Sequence, residues 1–391
     1  MTNAHILICD HVGLRFDATG RPDSSDVETY IRSKGGIFHH GGIHASNVLE
    51  PNRFHFFYQP ELSGPDEILK VSAEGQYDSV IAAASHVPER SRFRFGGVRI
   101  GAGTGNMMSA SWGGCSGKGG TAPLMNTPGV NSRATAQMVF KSLLRVRPDL
   151  PVDKLHQLVV AGDFDTRRQL RDYPTDKLEG KTLGIAGFGH IGREVALLGR
   201  AFAMKVVIFA RAHRKEQIEA EGYHYATTVE TAAENADVFS VHLGRGAYHE
   251  ETGDFKNDGL IADNVLTKLK HGAVLINFDR GELVNVHALR RAMASGKVAN
   301  ASIDADLFKD PVTGALSGPM VPYLSLVDNF ADRLELLPHA AADTDHGSRV
   351  NGAKMAVDQV FAAIGHKSLS NLVGSVPEGY VVAHATDPLM G

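Results

Sequence analysis

Residues 183–192, which read LGIAGFGHIG, constrain the fold more than any other stretch of the chain. An apolar run ends in Gly187, Gly189 and Gly192, the spacing G-x-G-x-x-G, and a helical pattern and a second apolar run follow. In a βαβ unit the first glycine permits the turn, the second lets backbone approach a pyrophosphate, and the third lets helix pack on strand. The helix N-terminus offers free N–H groups to the phosphates. We therefore predict a dinucleotide site; the alternative is a glycine turn that only packs tightly.

Composition limits the class of protein. The chain has 391 residues, of which 43% are hydrophobic and 21% charged, enough for two ordinary domains with buried cores. A net charge of −4 gives no electrostatic reason to expect nucleic acid as a partner. No apolar run reaches membrane-spanning length and no signal-peptide pattern is present, so we expect no membrane association. The two cysteines, Cys9 and Cys115, predict neither a disulfide framework nor a metal site, and favour a reducing cytoplasm.

Short apolar runs alternate with helical patterns along both halves of the chain. This alternation predicts an α/β fold with parallel sheets, and residues 1–130 form one candidate domain. The predicted strands include 54–58, 79–84, 236–242, 272–277 and 301–303, and the predicted helices include 27–33, 284–294, 350–364 and one that begins at Ser132. Three glycine-rich or polar stretches are predicted to be long loops, at 101–120, 244–264 and 309–332.

Polar side chains of complementary chemistry follow predicted strands in the C-terminal half. In open parallel sheets, ligands bind outside the carboxyl ends of the strands. A hydride-transferring enzyme for keto acids needs a cation for the carboxylate, a group that exchanges a proton near neutral pH, and an acid that orients that group. The candidates at strand ends are Arg280, Asp304, Asp306, Asp310 and His339. Each also has a simpler explanation. Arginine can cap a helix, aspartate is often only solvated, and in a chain with 19 histidines any one of them is rarely catalytic.

Four motifs resemble those of the D-isomer-specific 2-hydroxyacid dehydrogenases, a family that includes phosphoglycerate dehydrogenase, glyoxylate/hydroxypyruvate reductase and formate dehydrogenase. They span about residues 126–350 in the family's order. The motifs are the glycine stretch from Gly180, Asn277–Phe278–Asp279–Arg280–Gly281, Ile303–Asp304 running to Asp310–Pro311, and Pro338–His339–Ala340–Ala341 with Thr344. The N-terminal part matches more loosely, through Gly101-x-Gly103-x-Gly105 and Asn126-x-Pro128-Gly129.

The resemblance implies two Rossmann-like parallel-sheet domains with an active-site cleft between them. Residues 1–131 and 341–391 would form the substrate domain, and residues 132–340 the dinucleotide-binding domain. A homodimer would form through the cofactor domain.

The resemblance also implies roles for particular residues. Arg280 would hold the substrate carboxylate and polarise the carbonyl, His339 would donate the proton, and Asp310 would pair with His339. Substrate would also face Ser85, His86, Gly103 and Thr104. Beside the three glycines, the residues assigned to the cofactor are His190, Ile191, Arg211, Arg214, His242 and Asp304.

The chain departs from the family pattern in several places. The segment from Asp304 to Pro311 is one residue longer, so Asp306 competes with Asp310 for the acid role. Gly244–Arg245 stands where many relatives carry Pro-Leu, and Gln137 replaces a usual glutamate. These departures bear on the identity of the substrate more than on the chemistry.

The end of the second strand of the βαβ unit bears on the choice of cofactor. NAD enzymes usually place Asp or Glu there, on the ribose hydroxyls. Here Ala210 takes that position and Arg211 and Arg214 follow. No carboxylate would repel a 2′-phosphate and two guanidinium groups could clasp it, which predicts NADP as the preferred cofactor, with NAD the alternative. Otherwise these residues form a basic helix start that faces solvent.

The combined prediction is an NAD(P)-dependent oxidoreductase that interconverts a small 2-keto acid and a D-2-hydroxy acid. One alternative from another class is a dinucleotide-sensing corepressor or scaffold on the same fold. A second is an enzyme like formate dehydrogenase that lacks a general acid, against which the presence of Asp310 argues.

Overall fold

A computed structural model describes residues 3–45, 49–147, 150–339 and 345–383. The described chain divides into two compact units, each treated separately below. The first consists of residues 1–131 and 343–391, and the second of residues 132–342.

Most strands are short and belong to one of two seven-stranded sheets. In chain order they are β1 (Ala4–Ile8), β2 (Ile37–His40), β3 (Phe54–Tyr58), β4 (Ser79–Ala82), β5 (Gly97–Arg99), β6 (Leu124–Asn126), β7 (Thr182–Ala186), β8 (Lys205–Phe209), β9 (His224–Ala226), β10 (Val238–Val241), β11 (Tyr248–His249), β12 (Asp254–Phe255), β13 (Ala273–Asn277), β14 (Val298–Ala305), β15 (Phe308–Lys309), β16 (Leu316–Ser317), β17 (Leu334–Pro338), β18 (Ser368–Leu369), β19 (Leu372–Val373) and β20 (Val381–Val382).

The helices connect these strands. In chain order they are α1 (Ser25–Ser33), α2 (Pro65–Ser72), α3 (Ser132–Val146), α4 (Val152–Ala161), α5 (Thr166–Gln169), α6 (His190–Ala201), α7 (Lys215–Ala220), α8 (Val229–Ala233), α9 (Asp263–Leu266), α10 (Val286–Ala294), α11 (Val321–Leu324), α12 (Val327–Phe330) and α13 (His346–His366). Within the described ranges, no helix combines the length and the apolar character needed to span a bilayer.

The first unit is built on a sheet in the order β19-β6-β5-β4-β1-β3-β2, parallel except for the β19–β6 pair. Side chains of a strand alternate between the two faces. On β1, Ile6 and Ile8 therefore join the core formed with α1 and α13, whereas Leu7 joins the core on the opposite face. Because both faces are covered, the strands read as nearly continuous apolar runs, which is why the sequence reveals them.

The second unit contains an entirely parallel sheet in the order β17-β14-β13-β10-β7-β8-β9. The chain starts at β7, runs outward through β8 and β9, and then returns to the other side of β7 with β10. This reversal makes the β7–β10 boundary the topological switch point, where open α/β sheets bind their ligands. Helices α3, α6 and α7 pack on one face, and α8 to α12 on the other. Each buried Leu, Ile or Phe in these layers contributes about 1.5–3 kcal/mol.

The three stretches predicted to be loops contain more structure than expected. In the loop at 101–120, Trp112 is fully buried and its Nε1–H donates to the carbonyl of Met107 at 3.1 Å. The stretch at 244–264 forms the hairpin β11–β12, and the stretch at 309–332 completes the hairpin β15–β16 and forms α11 and α12. The predicted strand at 54–58 and the predicted helix that begins at Ser132 are confirmed.

Candidate active site

The glycine turn after β7 has the geometry that a phosphate site requires. Gly187 has a φ of +110°, and a Cβ there would lie 2.0 Å from the carbonyl oxygen of His242. A Cβ on Gly192 would lie 2.1 Å from the carbonyl oxygen of Gly187, so helix and turn are in close contact. A Cβ on Gly189 would meet no atom within 4 Å, which leaves the backbone open to a ligand. Gly189 is also the N-cap of α6 and supplies no side-chain cap, so the first N–H groups of the helix are available to an anion.

The two residues that open α6 differ in their surroundings. His190 is exposed, whereas Ile191 is half-buried against the core on the α6 face of the sheet. Of the two, His190 therefore has the side chain that is free to reach a ligand at the turn.

His242 follows β10 beside the glycine turn and is buried. Its Nε2 lies 2.7 Å from Oγ of Ser240, while its Nδ1 is buried without a hydrogen-bond partner among the described residues. Burial lowers the pKa of His242 to about 3, so the ring is neutral at physiological pH. A buried polar atom without a hydrogen-bond partner lowers the stability of a protein. The unpaired ring nitrogen at the switch point is therefore consistent with a hydrogen bond to a polar group of a bound dinucleotide.

The end of β8 carries positive charge and no carboxylate. Arg211 and Arg214 are exposed, and Arg214 donates to Oε1 of Gln217 at 2.7 Å. Ala210, at the position where NAD enzymes carry an acid, is buried, and its carbonyl accepts a hydrogen bond from Tyr225 at 3.2 Å. This strand end therefore carries two exposed guanidinium groups.

Arg280 follows β13 on a turn that Asn277 shapes. Asn277 is fully buried, and its Nδ2 donates to the carbonyl of Arg280 at 2.9 Å while its Oδ1 accepts the backbone N–H of Asp279 at 3.4 Å. Gly281 then opens a single 3-10 turn, Gly281–Leu283, with Arg280 as its N-cap. A Cβ on Gly281 would lie 2.8 Å from Cβ of Ala305, so glycine allows the arginine to stand close to β14.

His339 and Asp304 lie on neighbouring strand ends and form an ion pair. Nδ1 of His339 is 2.7 Å from Oδ1 of Asp304, with 26% of the histidine side chain and 6% of the aspartate side chain exposed. The backbone N–H of His339 also donates to the carbonyl of Ala305 at 3.0 Å, which sets the register of the histidine against β14. Burial lowers the pKa of His339, but the hydrogen bond and charge of Asp304 outweigh burial, so the pKa lies above its ordinary value.

The predicted pairing of Asp310 with His339 is wrong. Asp310 is exposed, and its Oδ1 accepts the backbone N–H groups of Val312 at 2.9 Å and Thr313 at 2.6 Å, which closes the β15–β16 turn. The hairpin leads the chain away from β14, so the carboxylate that meets the histidine is Asp304, the last but one residue of that strand. Asp306 is half-buried, and its charge raises the pKa of His339 by less than that of Asp304 does.

Sequence reasoning assigned no role to Asp279, yet its carboxyl lies in the same electrostatic environment. Burial raises the pKa of Asp279 to about 7, an effect that the charges of Arg280 and His339 oppose and that of Asp304 reinforces. The only sequence signal was an acidic residue directly before the arginine of the motif.

Two further residues, Arg245 and Tyr323, to which the sequence assigned no role, hold this edge of the sheet in place. Arg245 donates from Nε to Asp258 at 2.8 Å, pairs with Glu282 at 3.0 Å, and stacks on the ring of Phe255 at 4.0 Å. It thereby joins the β11–β12 hairpin to the turn that follows Arg280.

On the other side of the same turn, the buried hydroxyl of Tyr323 donates to the carbonyl of Gly281 at 2.5 Å. Tyr323 belongs to α11, within a stretch predicted to be a loop, so its position could not be anticipated.

The substrate residues predicted in the first unit have mixed surroundings. Ser85 is buried, its backbone N–H donates to Asp10 at 3.1 Å, and its carbonyl accepts Nδ2 of Asn106 at 2.7 Å, so its backbone is not available to a ligand. His86 and Gly103 are exposed. Thr104 is half-buried, and its hydroxyl lies 3.4 Å from the carbonyl of Cys115. A role of these three residues in substrate binding stays a prediction, and Ala340, Ala341 and Thr344 of the fourth motif lie outside the described residues.

The functional side chains of the second unit follow one another along a single sheet edge. From β8 to β17, consecutive strand ends carry the basic residues, the glycine turn, His242, Arg280, Asp304 and His339. Because the sheet is parallel, all these carboxyl ends face the same side. The fold and the arrangement of this edge define an α/β protein of the Rossmann type, with a G-x-G-x-x-G turn and a cation–histidine–carboxylate group on the same edge.

Comparison with known proteins agrees with this class. The sequence model of the D-isomer specific 2-hydroxyacid dehydrogenase NAD binding domain matches residues 151–317. A glyoxylate reductase from Aeropyrum pernix is 32% identical over 63% of this chain and 68% of its own length. A D-3-phosphoglycerate dehydrogenase from Archaeoglobus fulgidus is 30% identical over 62% of this chain and 41% of its own length.

A solved glyoxylate reductase from Paecilomyes thermophila has a TM-score of 0.62 at 22% identity and covers 97% of this chain and 99% of its own. A solved D-lactate dehydrogenase from Treponema pallidum has a TM-score of 0.64 at 18% identity and covers 95% of this chain and 100% of its own. The chain belongs to the D-isomer-specific 2-hydroxyacid dehydrogenase family.

Proposed function

We propose that this protein interconverts a small 2-keto acid and the corresponding D-2-hydroxy acid. The observation that carries the proposal is the placement of Arg280 and the Asp304–His339 pair on adjacent strand ends of the sheet that also carries the glycine turn. The glycine turn with α6, His242 and the basic end of β8 would hold the cofactor. When bound, the nicotinamide supplies or accepts the hydride at the substrate carbon.

Arg280 would bind the substrate carboxylate and stabilise negative charge that develops on the carbonyl oxygen. A guanidinium keeps its charge at any physiological pH and matches a carboxylate in geometry. The side chain of Asn277 donates a hydrogen bond to the carbonyl of Arg280 and fixes its backbone, so the cation is positioned before substrate arrives. A preorganised charge of this kind needs little rearrangement during the reaction.

His339 would donate the proton to the carbonyl oxygen as hydride reaches the carbon. Since Oδ1 of Asp304 is an acceptor, Nδ1 of His339 must be the donor of their hydrogen bond, which leaves Nε2 to carry the exchangeable proton. Asp304 also favours the protonated ring, as a reductase working near neutral pH requires. This pair argues against an enzyme without a general acid.

The assignment is tested by replacing Arg280 with alanine. Loss of a charge that stabilises the transition state typically lowers kcat by about 10²–10³-fold. We expect a fall of that size in kcat/KM for a panel of 2-keto acids, followed by the absorbance of the reduced nicotinamide. Arg291→Ala, which removes an exposed arginine paired with Asp263, is the matched control and should keep normal activity. Near-normal kcat/KM in Arg280→Ala would contradict the proposal.

We propose further that the enzyme prefers NADP and acts mainly as a reductase. The support is the pair of exposed guanidinium groups at the end of β8 and the alanine at the usual acid position. Replacing both Arg211 and Arg214 with alanine should raise KM for NADPH at least tenfold and leave KM for NADH nearly unchanged. Arg168→Ala, at an exposed arginine on α5, is the control. A clear preference of the unmodified enzyme for NADH would refute this part of the proposal.

A homodimer is proposed on the basis of α4. This helix buries none of its residues within the described chain, and Val160 is 73% exposed, with Val152 and Val159 also exposed. Apolar side chains clustered on a surface usually mark an interface. Light scattering on a sizing column should show a dimer, which Val159→Asp with Val160→Asp should dissociate and Gln157→Asp should not. A monomeric unmodified protein would refute this proposal.

A cytoplasmic location is also proposed. It rests on Cys9 and Cys115, both of which are free, Cys9 being buried and Cys115 exposed. Cell fractionation tests it, and recovery of the protein from an oxidising compartment would contradict it.

A further inference from the structure

Asp279 places a second carboxyl beside the proposed substrate site, and this carboxyl has no bonding partner in the described part of the chain. Its backbone is fixed by the Asn277 side chain, and Arg280 follows directly. His339 already has Asp304 as its partner at 2.7 Å, so Asp279 is not needed to orient the histidine. Asp279 is half-buried, so a carboxyl that is unpaired among the described residues can still be reached by a ligand at this edge of the sheet.

The charges of three residues act on Asp279. Arg280 lies on the same loop as Asp279, Asp304 lies on β14, and His339 follows β17. Arg280 contributes one positive charge, and a protonated His339 with Asp304 contributes none in sum. These three neighbours together therefore contribute one net positive charge, which an ionised Asp279 offsets. Because burial raises the pKa of Asp279 to about 7, both states are present near neutral pH.

We propose that Asp279 determines specificity by disfavouring 2-keto acids with a second negative charge. This inference rests on the proposed function. Arg280 takes the carboxylate next to the keto group, and a further carboxylate or phosphate on the same substrate then meets the ionised Asp279. The preferred substrates are 2-keto acids whose side chain is uncharged or cationic, and the discrimination increases with pH as Asp279 ionises.

A size-matched pair of substrates tests the inference. For 2-oxopentanoate and 2-oxoglutarate, which have one and two carboxylates, kcat/KM is measured at pH 6 and pH 8. In the unmodified enzyme the ratio of the two values should shift against 2-oxoglutarate by roughly three- to tenfold between these pH values, the size expected for two unit charges within one site. In Asp279→Asn the ratio should not change with pH. Compared with the unmodified enzyme at pH 8, it should favour 2-oxoglutarate by a similar factor. Asp279→Ser replaces it if the asparagine variant does not fold, and Asp328→Asn on α12 is the control.

The outcomes separate this inference from the proposed function. If the unmodified enzyme reduces neither these acids nor others of a 2-keto acid panel, the proposed function fails and the inference fails with it. If the unmodified enzyme is active but the ratio is independent of pH, or is the same in the Asp279 variants, only the inference fails. An equal loss of activity with both substrates in the variants indicates a purely structural role and also overturns it.

Discussion

Replacing Asp304 with asparagine removes one charge and keeps the shape of the side chain. The aspartate is almost fully buried and lies 2.7 Å from Nδ1 of His339. Burial by itself lowers the pKa of His339, and the hydrogen bond and charge of Asp304 reverse that effect. In the variant both favourable contributions are lost while burial remains. We therefore expect the pKa of His339 to fall below its ordinary value.

The size of the effect follows from the strength of the pair. A hydrogen bond to a charged group contributes about 1.5–3 kcal/mol. If the pair acts mainly on the protonated histidine, the same free energy is lost from the transition state for reduction. Since each 1.36 kcal/mol corresponds to a factor of ten, kcat/KM should fall roughly ten- to a hundredfold near neutral pH.

The assay is kcat/KM for 2-keto acid reduction between pH 5 and pH 9. Reduction needs the protonated histidine, so the rate falls as pH rises through the pKa of His339 in the free enzyme. In Asp304→Asn this decline should begin at lower pH, and the loss relative to the unmodified enzyme should be smaller at pH 5 than at pH 8. Asp306→Asn should shift the decline only slightly, and Asp310→Asn should not shift it, because Asp310 belongs to an exposed hairpin turn.

Two results would refute this reasoning. One is an unchanged pH profile in Asp304→Asn, which would mean that His339 is not the group that titrates. The other is a larger effect of Asp310→Asn than of Asp304→Asn, which would restore Asp310 as the partner of the histidine.

Three further changes test other parts of the structure. Gly192→Ala places a Cβ 2.1 Å from the carbonyl oxygen of Gly187, so dinucleotide affinity measured by calorimetry should fall at least tenfold while the far-ultraviolet spectrum stays native; unchanged affinity would contradict the close approach. Burial lowers the pKa values of His5 and His39, so unfolded chains bind protons more readily than the folded protein does. The contribution of these histidines to the free energy of unfolding should therefore be complete above about pH 6.5 and decrease as pH falls below that value. Urea titrations of His5→Asn with His39→Asn should show a weaker decrease than the unmodified protein; equal slopes would refute the assignment. Tyr323→Phe leaves a buried carbonyl unpaired and should lower the free energy of unfolding by about 1–3 kcal/mol, together with a severalfold lower kcat/KM; a loss of stability alone would show that the tyrosine does not position the site.

Sequence alone determined the elements whose causes are local. The glycine spacing after an apolar run predicts a strand, a turn and a helix because only glycine tolerates the φ of Gly187 and the contacts of Gly192. The parallel sheets were predictable because strands covered on both faces are apolar throughout. Arg280 and His339 could be selected because each lies shortly after a predicted strand, and parallel strands present their carboxyl ends on one side.

Tertiary structure decided which groups meet at that edge. Asp304 and Asp310 are both aspartates after an apolar run, and nothing local shows that β14 continues to Ala305 or that a hairpin then carries Asp310 into solvent. The burial that sets the protonation of Asp279 and His339 comes from strands distant in sequence. The supporting contacts of Arg245 and Tyr323 come from stretches whose polar composition predicted loops. Partner choice at such positions depends on strand register and burial, which are properties of the whole sheet rather than of any one segment.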